Sequence, residues 1–132
     1  MNQARIPGVT DRVKAAITDA MVIVLLMFIA FKAFDSFEHA TPLMRKVVFI
    51  IIVALYDPLL TSLLGGTLGH RAFKLRVKQD SNPKKNIWIP VALFRFAIKA
   101  CLGWISILTV SSNSKGKAIH DMLAGSIIIY KE

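Results

Sequence analysis

Four side chains in this sequence carry charge inside stretches that are otherwise apolar: Asp19, Asp57, Arg95 and Lys99. An ionised group at the centre of a membrane helix costs roughly 2.5 to 3.5 kcal/mol on insertion scales, so each of the four needs a partner or a purpose. Asp57 lies deepest, and two chemistries suit it: a carboxylate that takes up and releases a proton, as in a transport pathway, or one end of a buried ion pair with Lys99 or Arg95. Arg12 and Asp19 stand seven residues apart, close to two helical turns, which puts both on one face about 10 Å apart along the axis. They do not touch unaided. A third polar group between them would complete a cluster; without one, Arg12 faces lipid headgroups and Asp19 sits in the membrane interface.

Other constellations point away from catalysis. His120 and Asp121 are chain neighbours, which rarely aim at one another, and no activated Ser or Cys accompanies them. Gly65-Gly66-Thr67-Leu68-Gly69-His70-Arg71 has neither the spacing nor the lysine of a phosphate-binding loop, and its glycines suit a sharp turn out of the membrane. His39, His70 and His120 are dispersed and Cys101 is the only cysteine, so the sequence offers no metal-ligand set, no intrachain disulfide and no cofactor motif. An enzyme is not expected.

The elements that must position the charged residues are hydrophobic runs. With 55% hydrophobic residues and a mean hydropathy of +0.55, the 132-residue chain is too apolar for a soluble domain of its size. The first run covers residues 16–36, with an unbroken stretch from Ala20 to Phe31, and Thr10 or Asp11 suits its helix cap. About twenty residues at 1.5 Å each cross a hydrocarbon layer of about 30 Å. A signal peptide is the rival reading; Asp19 interrupts its start and no small-residue cleavage site follows, so the segment is expected to be retained. The second run covers residues 46–66, interrupted only by Asp57-Pro58, where the missing proline N–H predicts a kink.

A polar connector, residues 67–86, follows. Within it Phe73-Lys74-Leu75-Arg76-Val77-Lys78 alternates apolar with basic, the period of a strand. The third apolar run, residues 87–110, has Pro90 suited to a first helical turn, and Arg95, Lys99 and Ser106 near one face. Trp88 and Trp104 suit interfacial anchoring. This run either spans or is re-entrant. In the tail, residues 111–132, Ile127-Ile128-Ile129-Tyr130 is too short to span as a helix and reads as a strand. The expected fold is therefore an all-α membrane protein, with two transmembrane helices, a third spanning or re-entrant segment, and a short cytoplasmic strand pairing of residues 73–78 with 126–130.

The net charge of +9 would fit a nucleic-acid binder, but the basic residues fall between the apolar runs, as the positive-inside rule requires of cytoplasmic loops. No nucleic-acid partner is expected. Three plain spans would leave nine Lys and Arg on the amino-terminal side and six opposite; a third run that enters and leaves on one side makes this twelve against three. The sharper asymmetry favours a re-entrant third segment with both termini cytoplasmic.

These motifs resemble the RDD family of small bacterial integral membrane proteins, named for one arginine and two aspartates. Arg12 and Asp19 match the arginine before the first helix and the aspartate within it. Asp121, in Ile119-His120-Asp121-Met122-Leu123-Ala124-Gly125, matches the second aspartate. The stretch from Gly66 to Val77 is similar to the family's glycine-threonine-leucine-glycine-lysine-arginine connector, so Gly66, Thr67, Gly69 and Arg71 carry that motif, with His70 in place of the lysine. Histidine supplies no permanent cation there.

The resemblance extends over nearly the whole chain, taken as one domain over residues 1–132. It implies a multi-pass protein of the bacterial inner membrane, in which Arg12, Asp19 and Asp121 form one cytoplasmic-side cluster and the arginine neutralises the carboxylates. It also implies one of two functions: transport of an ion (proton or cation) or small solute, or a membrane-embedded scaffold or regulatory module. Few spans provide few walls, so a transporter of this size would need a homo-oligomer or a membrane partner. The basic connector suits anionic headgroups or a partner's acidic surface. Asp57 lies outside the name-giving set and takes no role from the resemblance.

Overall fold

Two long antiparallel helices open the fold. In the computed structural model, which describes residues 5–131, helix α1 covers Val9–Asp35 and helix α2 Pro42–Leu64. Both are long and apolar enough to cross a membrane, and only 11% and 17% of their apolar windows are buried. The core helix of a soluble protein passes the same length test but is mostly covered; these two are not.

The expected cap at Thr10 or Asp11 falls inside the helix. Helix α1 begins at Val9, with Gly8 as N-cap and no side-chain cap bond. The preceding arm is held from within the helix instead, because Arg12 Nε donates to the Pro7 carbonyl at 3.4 Å. Asp11 sits in the first turn, where the helix dipole favours a carboxylate. Helix α2 starts as its sequence requires: the Thr41 hydroxyl accepts from Met44 N–H at 3.2 Å and Pro42 takes the first helical position. It continues through Pro58 to Leu64 and stops at Gly65, whose φ of 72° is the left-handed conformation that glycine takes without strain.

The connector folds into a one-turn helix, α3 (Leu68–Ala72), and a strand, β1 (Leu75–Gln79). Strand β2 (Ser126–Tyr130) pairs with it antiparallel, Leu75 opposite Tyr130 and Gln79 opposite Ser126. The expected pairing is present but starts two residues later than Phe73, because Lys74 takes a positive φ of 57° and turns the chain. Alternation works as expected: Leu75, Val77 and Ile128 point inward, and with Ala15, Ile87 and Ala92 they make a small core where α1 begins and α2 ends. A two-stranded sheet is marginal alone, and this packing stabilises it.

The third apolar run is broken. Helix α4 (Ile89–Leu102) is followed by Gly103 and a short helix α5 (Trp104–Leu108). Fourteen residues extend about 21 Å, short of the ~30 Å needed to span. Its start is tied to the end of α2, where the Ser62 hydroxyl donates to the Ile87 carbonyl at 2.8 Å. After α5 the chain returns to the same end through helix α6 (Ile119–Leu123) and enters β2. The start of α4 and the return through α6 thus lie at the same end of the molecule.

Candidate functional site

At the end of the molecule where α1 begins, α2 ends and β1 meets β2, five charged side chains form one chain of ion pairs. Lys99 Nζ lies 2.7 Å from Asp57 Oδ2, and an Arg95 terminal nitrogen lies 3.5 Å from Asp57 Oδ1. Arg95 Nε then donates to Asp121 Oδ1 at 2.9 Å, and Arg12 reaches Asp121 Oδ2 at 2.7 Å. Arg95 is 1% exposed and Asp121 fully buried. Arg95 and Lys99 are four residues apart on α4, so helical geometry aims both at α2. Arg12 also donates to the Gly116 carbonyl at 2.8 Å, which ties the tail to the start of α1. The network thus joins α1, α2, α4 and α6, each through a charge.

Asp19 is not part of that chain. Its Oδ1 accepts from the Tyr56 hydroxyl at 2.8 Å and the Gly69 N–H at 2.7 Å, and its Oδ2 from the Thr67 hydroxyl at 2.5 Å. Gly69 is required by closeness: a Cβ there would lie 2.1 Å from the Ala15 carbonyl oxygen and 2.7 Å from Asp19 Cγ. The expected cluster of Arg12, Asp19 and Asp121 therefore resolves into two: a cationic clamp on Asp121 and a neutral-donor cradle for Asp19. The groups completing them are Arg95 for the first and Tyr56, Thr67 and Gly69 for the second.

His70 stands beside the cradle. Its Nδ1 lies 2.5 Å from the Thr67 hydroxyl, and since that hydroxyl gives its one proton to Asp19, the Nδ1 carries a proton toward it. Burial, reinforced by the nearby positive charge of Arg95 and Lys99, pushes the imidazole pKa down to about 3. Histidine at this position is thus a neutral donor. His120 is pushed down to about 3 in the same way, by burial first and then by Arg95. Burial alone would push Asp121 up, but Arg95 and Arg12 outweigh it and hold the carboxyl below the usual range.

His120 and Asp121 do approach one another, contrary to expectation: His120 Nε2 is 3.5 Å from Asp121 Oδ1, and His120 Nδ1 is 2.5 Å from the Ser106 hydroxyl. Ser106, His120 and Asp121 are 0%, 3% and 0% exposed, so this order of groups presents no nucleophile to a substrate. Ser106 also accepts the His120 N–H at 3.3 Å and serves to hold α6 on α5.

The connector residues divide by role. Thr67 caps α3 and serves the cradle, Gly69 permits contact with α1, and the Gly66 N–H donates to the Leu60 carbonyl at 3.4 Å. Arg71 is exposed. Among the described residues no three His, Cys, Asp or Glu side chains converge as a metal ion needs.

The sequence reading does not single out Tyr56 as the partner of Asp19 or Ser106 as the partner of His120. A tyrosine inside an apolar run must find a hydrogen-bond partner, and that signal was present at Tyr56.

Alongside the network lies a cavity of about 270 Å³ between α1, α2, α4 and α5, with Asp19, Tyr56, Asp57 and Lys99 among its lining residues. Ala20, Val53 and Phe96 form part of its apolar wall. Lys99 is the accessible member of the charged chain, its side chain 24% exposed against 7% for Asp57.

Neither a curated protein nor a solved structure matches the chain. The family model described as the RDD family matches residues 6–125, a range that takes in Arg12, Asp19, the connector and Asp121. Together with two uncovered helices of spanning length, this match points to a membrane protein, and the chain belongs to the RDD family.

Proposed function

We propose that this chain is a multi-pass protein of the bacterial inner membrane, amino terminus cytoplasmic, that passes a proton, a cation or a small solute along the Asp57–Lys99 pair. The observation that supports this reading is the cavity between the helices, where apolar walls meet Asp19, Asp57 and Lys99. A carboxylate held by a fixed guanidinium and a partly exposed ammonium can exchange the latter for another cation. Arg95, fully enclosed, stays in place; Lys99, with room to swing into the cavity, is the partner that gives way. An entering cation, or a proton taken by Asp57, keeps the site's charge balanced while Lys99 is displaced. Apolar walls keep the exchange out of bulk water, where it would be unselective.

Reconstitution into liposomes tests this. Wild-type protein should carry proton or sodium flux above protein-free vesicles, and Asp57→Asn and Asp19→Asn should each reduce it severalfold. Wild-type vesicles as tight as empty ones sink the transport reading.

A second reading, a scaffold or regulatory module in a larger membrane assembly, draws support from a different observation. No buried side-chain nitrogen or oxygen among the described residues lacks a hydrogen-bond partner, so the network also suits a purely structural lock. Met21, Val24 and Phe28 on α1 and Ile50 and Leu63 on α2 are all more than half exposed, leaving apolar flanks for lipid, a second copy or another membrane protein. Recovery of one reproducible partner from native membranes, together with absent flux, would favour this reading.

A further inference from the structure

Away from the ion-pair network, Arg71, Lys74, Arg76 and Lys131 line a concavity of about 360 Å³ on the outer side of the sheet. The fold, rather than chance, brings them together. Arg76 alternates with the buried Leu75 and Val77, so it faces away from the core. Lys131 N–H donates to the Lys74 carbonyl at 2.6 Å, continuing the strand register so that these two lysines sit directly across from one another. Like charges in that position repel and destabilise the pair. No carboxylate among the described residues lies within ion-pair distance of any of the four, whereas Arg12, Arg45, Arg95, Lys99 and Lys117 each have one. Lys74 holds its place in a positive-φ turn, so the charge is presented at a conformational cost.

Arg76 is fixed in the lining by its guanidinium, which donates at 2.8 Å to the carbonyl of Leu64, the last residue of α2. Four cations thus stand at the end of a helix of spanning length, on the same end as Trp88, which is 73% exposed, as an interfacial tryptophan would be.

We propose that this concavity is a binding site for a phosphate-bearing anion of more than one negative charge, held by Arg71, Lys74 and Lys131 with Arg76 anchoring the floor. The inference uses the membrane reading for the depth of the site but is independent of transport. Two sources carry this chemistry: a phospholipid headgroup with two phosphates, and a soluble pyrophosphate-like group.

The test measures binding by purified full-length protein in neutral detergent to diphosphatidylglycerol, by native mass spectrometry, and to inorganic pyrophosphate, by calorimetry. Lys74→Gln/Lys131→Gln is compared with Lys84→Gln/Lys85→Gln, which removes the same charge from the turn outside the concavity. The first pair should weaken binding about thirtyfold, at roughly fivefold per lysine lost from an anionic contact, and the second by much less. Binding of the lipid alone with this dependence identifies a headgroup site; binding of pyrophosphate with it identifies a soluble ligand. Binding of neither probe, or equal loss in both variants, overturns the proposal. All four substituted lysines are surface residues, and unchanged circular dichroism confirms that the variants are folded.

Discussion

The two aspartates of the family motif should differ in what their loss costs, although the substitution is the same. Asp121→Asn takes the single anion from between two buried guanidiniums. Arg95 retains Asp57 at 3.5 Å, but Arg12, 4% exposed, loses its one carboxylate among the described residues. Removing one partner of a buried pair costs about 3 to 5 kcal/mol, mostly the penalty of the unpaired charge left behind. Asp19→Asn leaves no such charge, since the Asp19 bonds come from two hydroxyls and a backbone N–H. The new oxygen can still face Gly69, which only donates, while the new NH2 turns to the Thr67 hydroxyl. The loss is the difference between charge-assisted and neutral bonds, about 1 to 2 kcal/mol.

At roughly 4 °C per kcal/mol for a chain of this length, these figures translate to melting temperatures lowered by about 15 °C and about 5 °C. Thermal unfolding in detergent, followed by circular dichroism, reads both. Adding Arg12→Gln to Asp121→Asn removes the stranded cation and should recover part of the loss, a coupling that a double-mutant cycle isolates. Equal losses for the two aspartate variants, or a double variant worse than the sum of its parts, would refute the division into clamp and cradle.

Other outcomes follow from the same geometry. Gly69→Ala places a methyl 2.1 Å from the Ala15 carbonyl oxygen, so α3 must withdraw from α1; a destabilisation of at least ~3 kcal/mol is expected in the same unfolding assay. Asp57→Asn should cost about 3 kcal/mol, less than Asp121→Asn because Lys99 can turn into the cavity; unchanged stability would mean that the pair is not charged in the folded protein. Stability should also fall with acid. His70 and His120, held near 3 when folded, regain an ordinary value near 6.5 when unfolded, so the unfolded chain binds more protons between those limits. Melting temperature should therefore be level above pH 7 and decline below about 6.5, by up to about 1.4 kcal/mol per pH unit for each histidine. His70→Asn should make that decline shallower. The stabilisation from Asp121, whose folded pKa is held low, is present above about 4 and is lost only as pH falls further.

Much of the architecture was legible in local pattern. Hydrophobic length marks both long helices, alternation marks β1, and a β-branched run too short to span marks β2. Each of these signals is local or statistical, and a chain reports it wherever it lies in space. Even the four-residue spacing of Arg95 and Lys99 says that they share a face.

Which carboxylate each cation meets is a different kind of fact. Arg12 finds Asp121 across 109 positions of sequence, and Asp19 finds Tyr56 on α2 and Thr67 and Gly69 at α3. Helical period shows which face of an element is polar but not which element lies opposite. That choice depends on how closely backbones approach, here on the absent side chain of Gly69 and the break at Gly103. The sequence by itself determined the helices, the strands, the family and the presence of buried charge. Only the tertiary structure decided that this charge forms one paired chain from Lys99 to Arg12 with Asp19 set apart, because a buried charge takes the partner that packing brings within about 3 Å.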